Sequence, residues 1–388
     1  MESESIVFSI FLIFTGAAVV SSFALFTRQP LIVGYIVVGG LFGPYGMNLV
    51  TDGVVLEQIS HIGIVFLLFL LGLDLQPRNF GKLLGRSALV TVVSGLILSG
   101  AGTVICHQMG LTWIESLLVG ISLMFSSTII GIKLLPTTML HHKHTGEVII
   151  AILLVQDIVA IITLILISGG DHIGDLSSWV GVVVALPGLL LGARYFVRWV
   201  ILPLLTKFDR FHEYIFLLAI GWCLGMAELA GALGLSLEIG AFIAGISLAN
   251  SPIAQYIATN LKPLRDFFLI LFFFSIGASF NFSLIPDIWL TSLILAALVL
   301  VFKPILHAKL LSRVGESQAL SWEAGFRLGQ ISEFSLLIAF LAAGQGLIGV
   351  VASHVIQATA ILTFLFSTYV VVFKYPTPIA ISDRLRRD

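Results

Sequence analysis

Apolar stretches close to twenty residues long follow one another along this chain, and short segments between them hold most of the charge. A bilayer core is crossed by about 20 apolar residues in a helix, and runs of that kind predict about thirteen spans. They lie at 5–26, 31–48, 56–75, 87–107, 113–134, 147–168, 176–200, 211–229, 235–250, 266–280, 284–310, 322–343 and 350–373. The pattern predicts an all-α integral membrane protein. Its transmembrane domain covers 1–374, and 375–388 reads as a cytoplasmic tail or the start of a linker.

Composition agrees. The chain is 58% hydrophobic and 11% charged, where a soluble domain carries about 25% charged residues. The apolar run from Ile6 has neither a basic leader nor a small-residue cleavage site, so it reads as a retained helix. Cys106 and Cys223 fall in apolar runs and suggest neither a disulfide framework nor a metal motif. Lysine and arginine fix the expected orientation. With the N-terminus outside, the inner segments hold Arg28; Arg78, Lys82 and Arg86; Lys143; Lys207 and Arg210; Lys262 and Arg265; Lys309 and Arg313; and the basic tail. The outer loops hold Asp52, Glu57, Asp171, Asp175 and Asp287. The C-terminus is therefore expected in the cytoplasm.

The chain also repeats. "LIVGYIVVGGLFGP" carries Gly34 and Gly39, and "SLEIGAFIAGISLANSP" carries Gly240 and Gly245 at the same spacing. Gly72 closes the next apolar run and Gly277 its counterpart. The offset is about 205 residues, and the matched helices run in opposite directions, which is the inverted-repeat signature of secondary transporters. "SSTIIG", with Ser126, Ser127 and Thr128 at mid-depth, falls by the same offset on the polar patch of "GQISEF". Both helices are expected to be interrupted, and paired interruptions point to a transport site.

Few ionisable residues lie deep in the spans. Asp157 sits at the centre of "VIIAILLVQDIVAIITLILIS". A charged Asp there costs roughly 2.5–3.5 kcal/mol on insertion scales. Such a carboxylate suits a site that takes a proton or a monovalent cation in turn; the plainer alternative is a helix-pairing Asp. Gln156 beside it offers a neutral oxygen ligand or an interhelical hydrogen bond. Lys303, in "LVLVFKPILHAKL", is a candidate partner of Asp157 or Glu333, or else a lysine that snorkels to the interface; Pro304 is expected to kink its helix. Glu333 lies in "FRLGQISEFSLLIAF", crowded by Gly329, Gln330 and Ser332. His141, His142 and His144 read as a solvated loop cluster. The sequence has no phosphate-binding or dinucleotide-binding motif and no nucleophile–base pair, so neither an enzyme, a cofactor nor a nucleic-acid partner is expected.

"SSTIIG", "VQD", "LEIGAFIAGISLANSP" and "GQISEF", in this order along the chain, resemble the second family of monovalent cation:proton antiporters, most closely the membrane domains of Kef-type potassium efflux systems. The resemblance implies thirteen helices, two of them broken and crossing beside Asp157, and an elevator-type antiporter homodimer. A core bundle would come from about 87–168 and 284–373, and the remaining helices would dimerise. Asp157 maps onto the cation- and proton-binding carboxylate, with oxygens at Gln156, Thr128 and Ser127 nearby. Lys303 and Glu333 map onto a charge-compensating pair. The implied function is exchange of a monovalent cation, potassium first, for protons across a bacterial inner membrane. With Asp157 the one obvious carboxylate of the site and Gln156 beside it unable to release a proton, the exchange is expected to be one for one. A separate cytoplasmic regulatory domain or subunit is a further implied partner. Sodium:proton exchange, a gated potassium channel, an organic-anion symporter and a non-transporting sensor remain as alternatives.

Overall fold

The computed structural model describes residues 6–50, 53–74, 81–133, 144–168, 176–208, 210–233, 235–249, 251 and 253–377. His141, His142, Lys143, Arg78 and the basic tail lie outside the described residues. The described elements are all helices. In chain order they are α1 (Ile6–Phe26), α2 (Leu31–Phe42), α3 (Gly53–Asp74), α4 (Gly81–Gln108), α5 (Trp113–Ser122), α6 (Thr128–Lys133), α7 (His144–Ser168), α8 (Leu176–Phe196), α9 (Leu202–Lys207), α10 (His212–Ala232), α11 (Leu237–Ala249), α12 (Ala254–Ala278), α13 (Ile285–Ala297), α14 (Lys303–Arg313), α15 (Gln318–Arg327), α16 (Glu333–Gly344) and α17 (Val350–Lys374). Among the described residues, seven helical stretches are long and apolar enough to cross a membrane, and shorter apolar helices accompany them. The chain is a multi-pass membrane protein.

Helices overlap the expected spans, with instructive differences. The span expected at 266–280 begins at Ala254, so "ATNLKPLRD", read as an inner loop, is the first part of α12, with Pro263 inside it. Five-residue π-helical turns at Val197–Ile201 and Leu298–Phe302 join α8 to α9 and α13 to α14. Each turn ends just before a helix with proline in its first turn. A wider turn absorbs the missing N–H of such a proline, so Pro304 is accommodated by a π-turn within a continuous helical stretch.

The chain divides into two compact units. The first comprises Met1–Gly16, Val38–Asn79 and Ser168–Ala278. The repeat is written in its packing. A Cβ on Gly39 would collide with the backbone of Phe274 and Ala278, and one on Gly245 with the backbone of Phe69 and Gly72. Gly39 and Gly245 are repeat equivalents, and so are Phe69 and Phe274. The contact therefore occurs twice, with the roles of the halves exchanged. Lipid tails are as apolar as leucine, so helices gain by close approach of small residues more than by hiding apolar surface.

The second unit comprises Ala17–Val37, Phe80–Ile167 and Ser279–Asp388. In it α17 packs against α5, α13 and α16. A buried cluster of Val90, Val148, Ile149, Ile152, Leu153, Leu311, Leu320, Ala324 and Leu328 joins α4, α7, α14 and α15. It fixes the N-terminal half of α7, and so the depth of Asp157.

Candidate functional site

Two helices of the second unit are interrupted. Residues 123–127 separate α5 from α6, and 328–332 separate α15 from α16. Thr128 and Glu333, the residues that resume the helix, are about 205 positions apart, so the breaks are repeat equivalents. The local sequence accounts for both. Serine and threonine hydroxyls compete for backbone partners and favour caps over helix interiors. Ser127 Oγ accepts from the N–H of Ile130 at 3.2 Å. Ser332 Oγ accepts from Phe334 at 3.1 Å, while Ser335 Oγ accepts from the Ser332 N–H at 3.3 Å.

Unwinding frees carbonyl groups, and a buried carbonyl left alone is costly. Here five of them find a donor on the other interrupted helix or on α14. Ser335 Oγ donates to Ser122 O at 2.6 Å, and Ser126 Oγ donates to Leu328 O at 3.0 Å. Lys303 Nζ donates to Leu123 O at 3.1 Å, Phe125 O at 2.7 Å and Gln330 O at 2.9 Å. An ammonium has three donors, and all three are used. The two helices that end at the breaks present the negative ends of their dipoles there, where a cation is favoured. Lys303 thus ties both breaks to α14.

The sequence left the partners of Lys303 open. The lysine does not snorkel, since its residue surface is 0% exposed. It is absent from the ion pairs within 4.0 Å among the described residues, so its partners are carbonyls rather than Asp157 or Glu333.

Asp157 is 3% exposed on α7. Thr128 Oγ1, at the start of α6, donates to Asp157 Oδ1 at 3.3 Å. Gln156 Oε1 accepts the backbone N–H of Ser126 at 2.9 Å, so that oxygen pins the first break to α7. Its Nε2 has no hydrogen-bond partner among the described residues. Glu333 is buried in the first turn of α16, where a carboxylate is favoured by the helix dipole. The fold brings Asp157, Gln156, Ser127, Thr128, Lys303 and Glu333 into one unit around the paired breaks. Ser127 serves there as a helix cap. His144 lies apart, at the start of α7, with Nε2 2.9 Å from Glu316 and Nδ1 3.3 Å from Glu147.

The sequence profile described as "Sodium/hydrogen exchanger, transmembrane" matches residues 10–375. The chain belongs to the sodium/hydrogen exchanger family. Among curated proteins, K(+) efflux antiporter 5 of Arabidopsis thaliana is 31% identical over 88% of this chain and 60% of its own length. A glutathione-regulated potassium-efflux system protein of Cronobacter sakazakii is 33% identical over 87% of this chain and 55% of its own length. The chain thus spans little more than half the length of these relatives. Among solved structures, the sodium proton antiporter MjNhaP1 of Methanocaldococcus jannaschii at pH 8 aligns with a TM-score of 0.71 at 16% identity, over 94% of this chain and 95% of that one. At that identity the likeness is one of fold.

Within this exchanger fold three buried residues were not singled out by their sequence context. His307 packs one turn from Lys303, with Nδ1 3.0 Å from the Lys303 carbonyl and Nε2 3.5 Å from Ser94 Oγ. Thr363 Oγ1 accepts the N–H of Ile331 at 3.3 Å and so ties α17 to the second break. Arg327 ends α15 with a buried side chain. The available signal was helical spacing: His307 comes one turn after Lys303, and Arg327 one turn after Glu323.

Proposed function

We propose that this chain exchanges a monovalent cation for protons across a membrane, with Asp157 as the shared binding site and potassium as the cation. The observation that carries the reading is a buried carboxylate that accepts a hydrogen bond from Thr128, at the resumption of a broken helix. Ionised, Asp157 takes a dehydrated cation with the Thr128 hydroxyl; protonated, it releases it. A bare carboxylate at that depth is penalised, so the loaded forms are the ones that cross, and the two fluxes are coupled. Potassium is chosen because the Arabidopsis and Cronobacter relatives are both named for potassium efflux.

The bundle of about 87–168 and 284–373 carries the site in this reading, and the exchange is one for one. The remaining helices form a homodimer face in a bacterial inner membrane, with the N-terminus outside. The surface of the first unit supports the pairing. Arg194, Arg198 and Glu228 are exposed on stretches long and apolar enough to cross a membrane, and none is in an ion pair within 4.0 Å among the described residues. Charges at such depth are rarely left to lipid. Between them runs a groove of about 770 Å³, lined by Gly188, Gly192, Gly221, Gly225 and Trp222 among others. Two copies in one bilayer share one topology, so residues of like depth meet across a two-fold axis. An arginine of one copy then finds the glutamate of the other.

The test is proton flux in proteoliposomes with potassium, sodium, lithium and rubidium supplied in turn. Saturable flux with potassium is expected. Flux with sodium alone would move the cation to sodium, and channel-sized single-molecule currents would replace exchange by conduction.

A further inference from the structure

Arg327 is the last helical residue before the second break, and its side chain is 0% exposed. A guanidinium has five donors, no acceptor and a permanent charge, so it is tolerated in the interior only with partners. Nε and Nη2 donate to Glu323 Oε1 at 3.0 and 2.8 Å, within one turn of α15. Nη2 also donates to Pro376 O at 2.8 Å, beyond the end of α17. The Glu323 carboxylate already matches the charge of Arg327. The carbonyl of Pro376 adds direction instead, by fixing where the end of α15 stands against the chain that leaves α17.

A reciprocal pair of cation–ring contacts surrounds this bond. Lys374 Nζ lies 4.3 Å from the ring centre of Phe326, and the Arg327 guanidinium lies 5.8 Å from that of Tyr375. Each segment offers a cation to a ring of the other, an arrangement that is attractive in both directions. Burial, with the Glu323 carboxylate second, pushes the Tyr375 phenol up to about 12, so its ring stays neutral.

Immediately C-terminal to Arg327 the chain enters the second break. The Arg327 carbonyl accepts from Gln330 Nε2 at 3.0 Å, and the Gln330 carbonyl accepts from Lys303 at 2.9 Å. The Leu328 carbonyl accepts from Ser126 Oγ at 3.0 Å. We propose that residues 374–377 clasp the end of α15, and that Arg327 is a positioning residue which sets the geometry of the second break through Gln330 and Leu328. A displacement of the chain at Pro376 then reaches Lys303 and the paired breaks along this chain of contacts. The clasp belongs to the fold; its consequence for cation use rests on the exchange reading.

The test compares the full chain in lipid nanodiscs with two variants. Lys374→Leu with Tyr375→Leu removes both ring contacts without touching the break. Arg327→Lys keeps the charge and loses the planar fork. Hydrogen exchange is followed over 328–334, with 237–249 as the internal reference. Exchange in 328–334 is expected to quicken by about threefold or more while the reference holds, the mark of a local rather than global opening. In proteoliposomes the half-saturating cation concentration is expected to rise while the maximal rate is kept. Unchanged exchange at 328–334 in both variants would overturn the clasp, and so would equal quickening in both segments, which marks general loosening. A wild-type chain that moves no cation would remove the exchange reading, and the hydrogen-exchange arm would still decide the clasp.

Discussion

The ammonium nitrogen of Lys303 lies 2.7 Å from the carbonyl oxygen of Phe125. With its bonds to Leu123 and Gln330, this contact makes Lys303 the cross-tie of two broken helices. Hydrogen bonds to charged groups are worth about 1.5–3 kcal/mol each, and buried acceptors left unmet add their own cost. Lys303→Gln keeps one amide donor group and loses the charge. Thermal unfolding in detergent is expected to show a loss of about 2–4 kcal/mol, with some cation-dependent proton movement remaining. Unchanged stability would mean that the carbonyls find other donors.

Asp157→Asn keeps size and polarity and cannot ionise. Thr128 Oγ1 still has an oxygen to meet at 157, so the protein is expected to fold with near wild-type stability. Cation-dependent proton flux is expected to vanish, by at least about two orders of magnitude, as for loss of a group that must change charge in each cycle. Normal exchange by a folded Asp157→Asn protein would falsify the mechanism.

On the exchange reading, the same residues set the voltage dependence. Gln156 has no proton to release, and a Lys303 that lost its proton would leave one of its three carbonyls without a donor. One carboxylate then holds either one proton or one cation, and exchange is expected to be electroneutral. Transport rates in proteoliposomes clamped at zero and at a large imposed potential, with fixed ion gradients, should agree. A sustained current would identify a second proton carrier, with Glu333 the first to test.

Gly245 and Gly100 make a matched pair. A Cβ at Gly245 meets the Phe69 backbone, whereas one at Gly100 meets nothing within 4 Å. Forcing atoms into a close helix contact costs typically about 1–3 kcal/mol, while alanine in an open helix position is better than glycine by about 1 kcal/mol. Thermal unfolding should therefore separate the two substitutions in sign, with Gly245→Ala destabilised and Gly100→Ala not.

For the proposed dimer, Arg194→Ala and Glu228→Ala are each expected to shift the protein toward monomer in dilute detergent. A charge swap, Arg194→Glu with Glu228→Arg, should restore part of the association. Light scattering or single-molecule counting reads the outcome, and a monomer–dimer balance indifferent to all three variants would place the face elsewhere.

Much of this protein was legible in its sequence, because the bilayer limits the choices. Backbone groups in hydrocarbon must bond within their own helix, so an apolar run such as 147–168 has essentially one structure. The same rule makes exceptions readable. "SSTIIG" and "GQISEF" place polar groups where a span should be apolar, at one offset, and both helices are broken there. Asp157 stood out for the same reason.

The sequence could not assign partners. Lys303 and two carboxylates look like an ion pair when only residue types are known, yet the breaks release carbonyl oxygens that no sequence pattern displays, and these take the ammonium. Gln156 reads as a cation ligand, and no sequence pattern signals that its oxygen also meets the N–H of Ser126. Arg327 drew no notice because its decisive contact, Pro376, is distant in the chain. Spans, breaks and the depth of Asp157 are set by local hydrophobicity and repeat symmetry. Which donor meets which acceptor is decided only in three dimensions, where each buried polar group takes the partner that packing brings within reach.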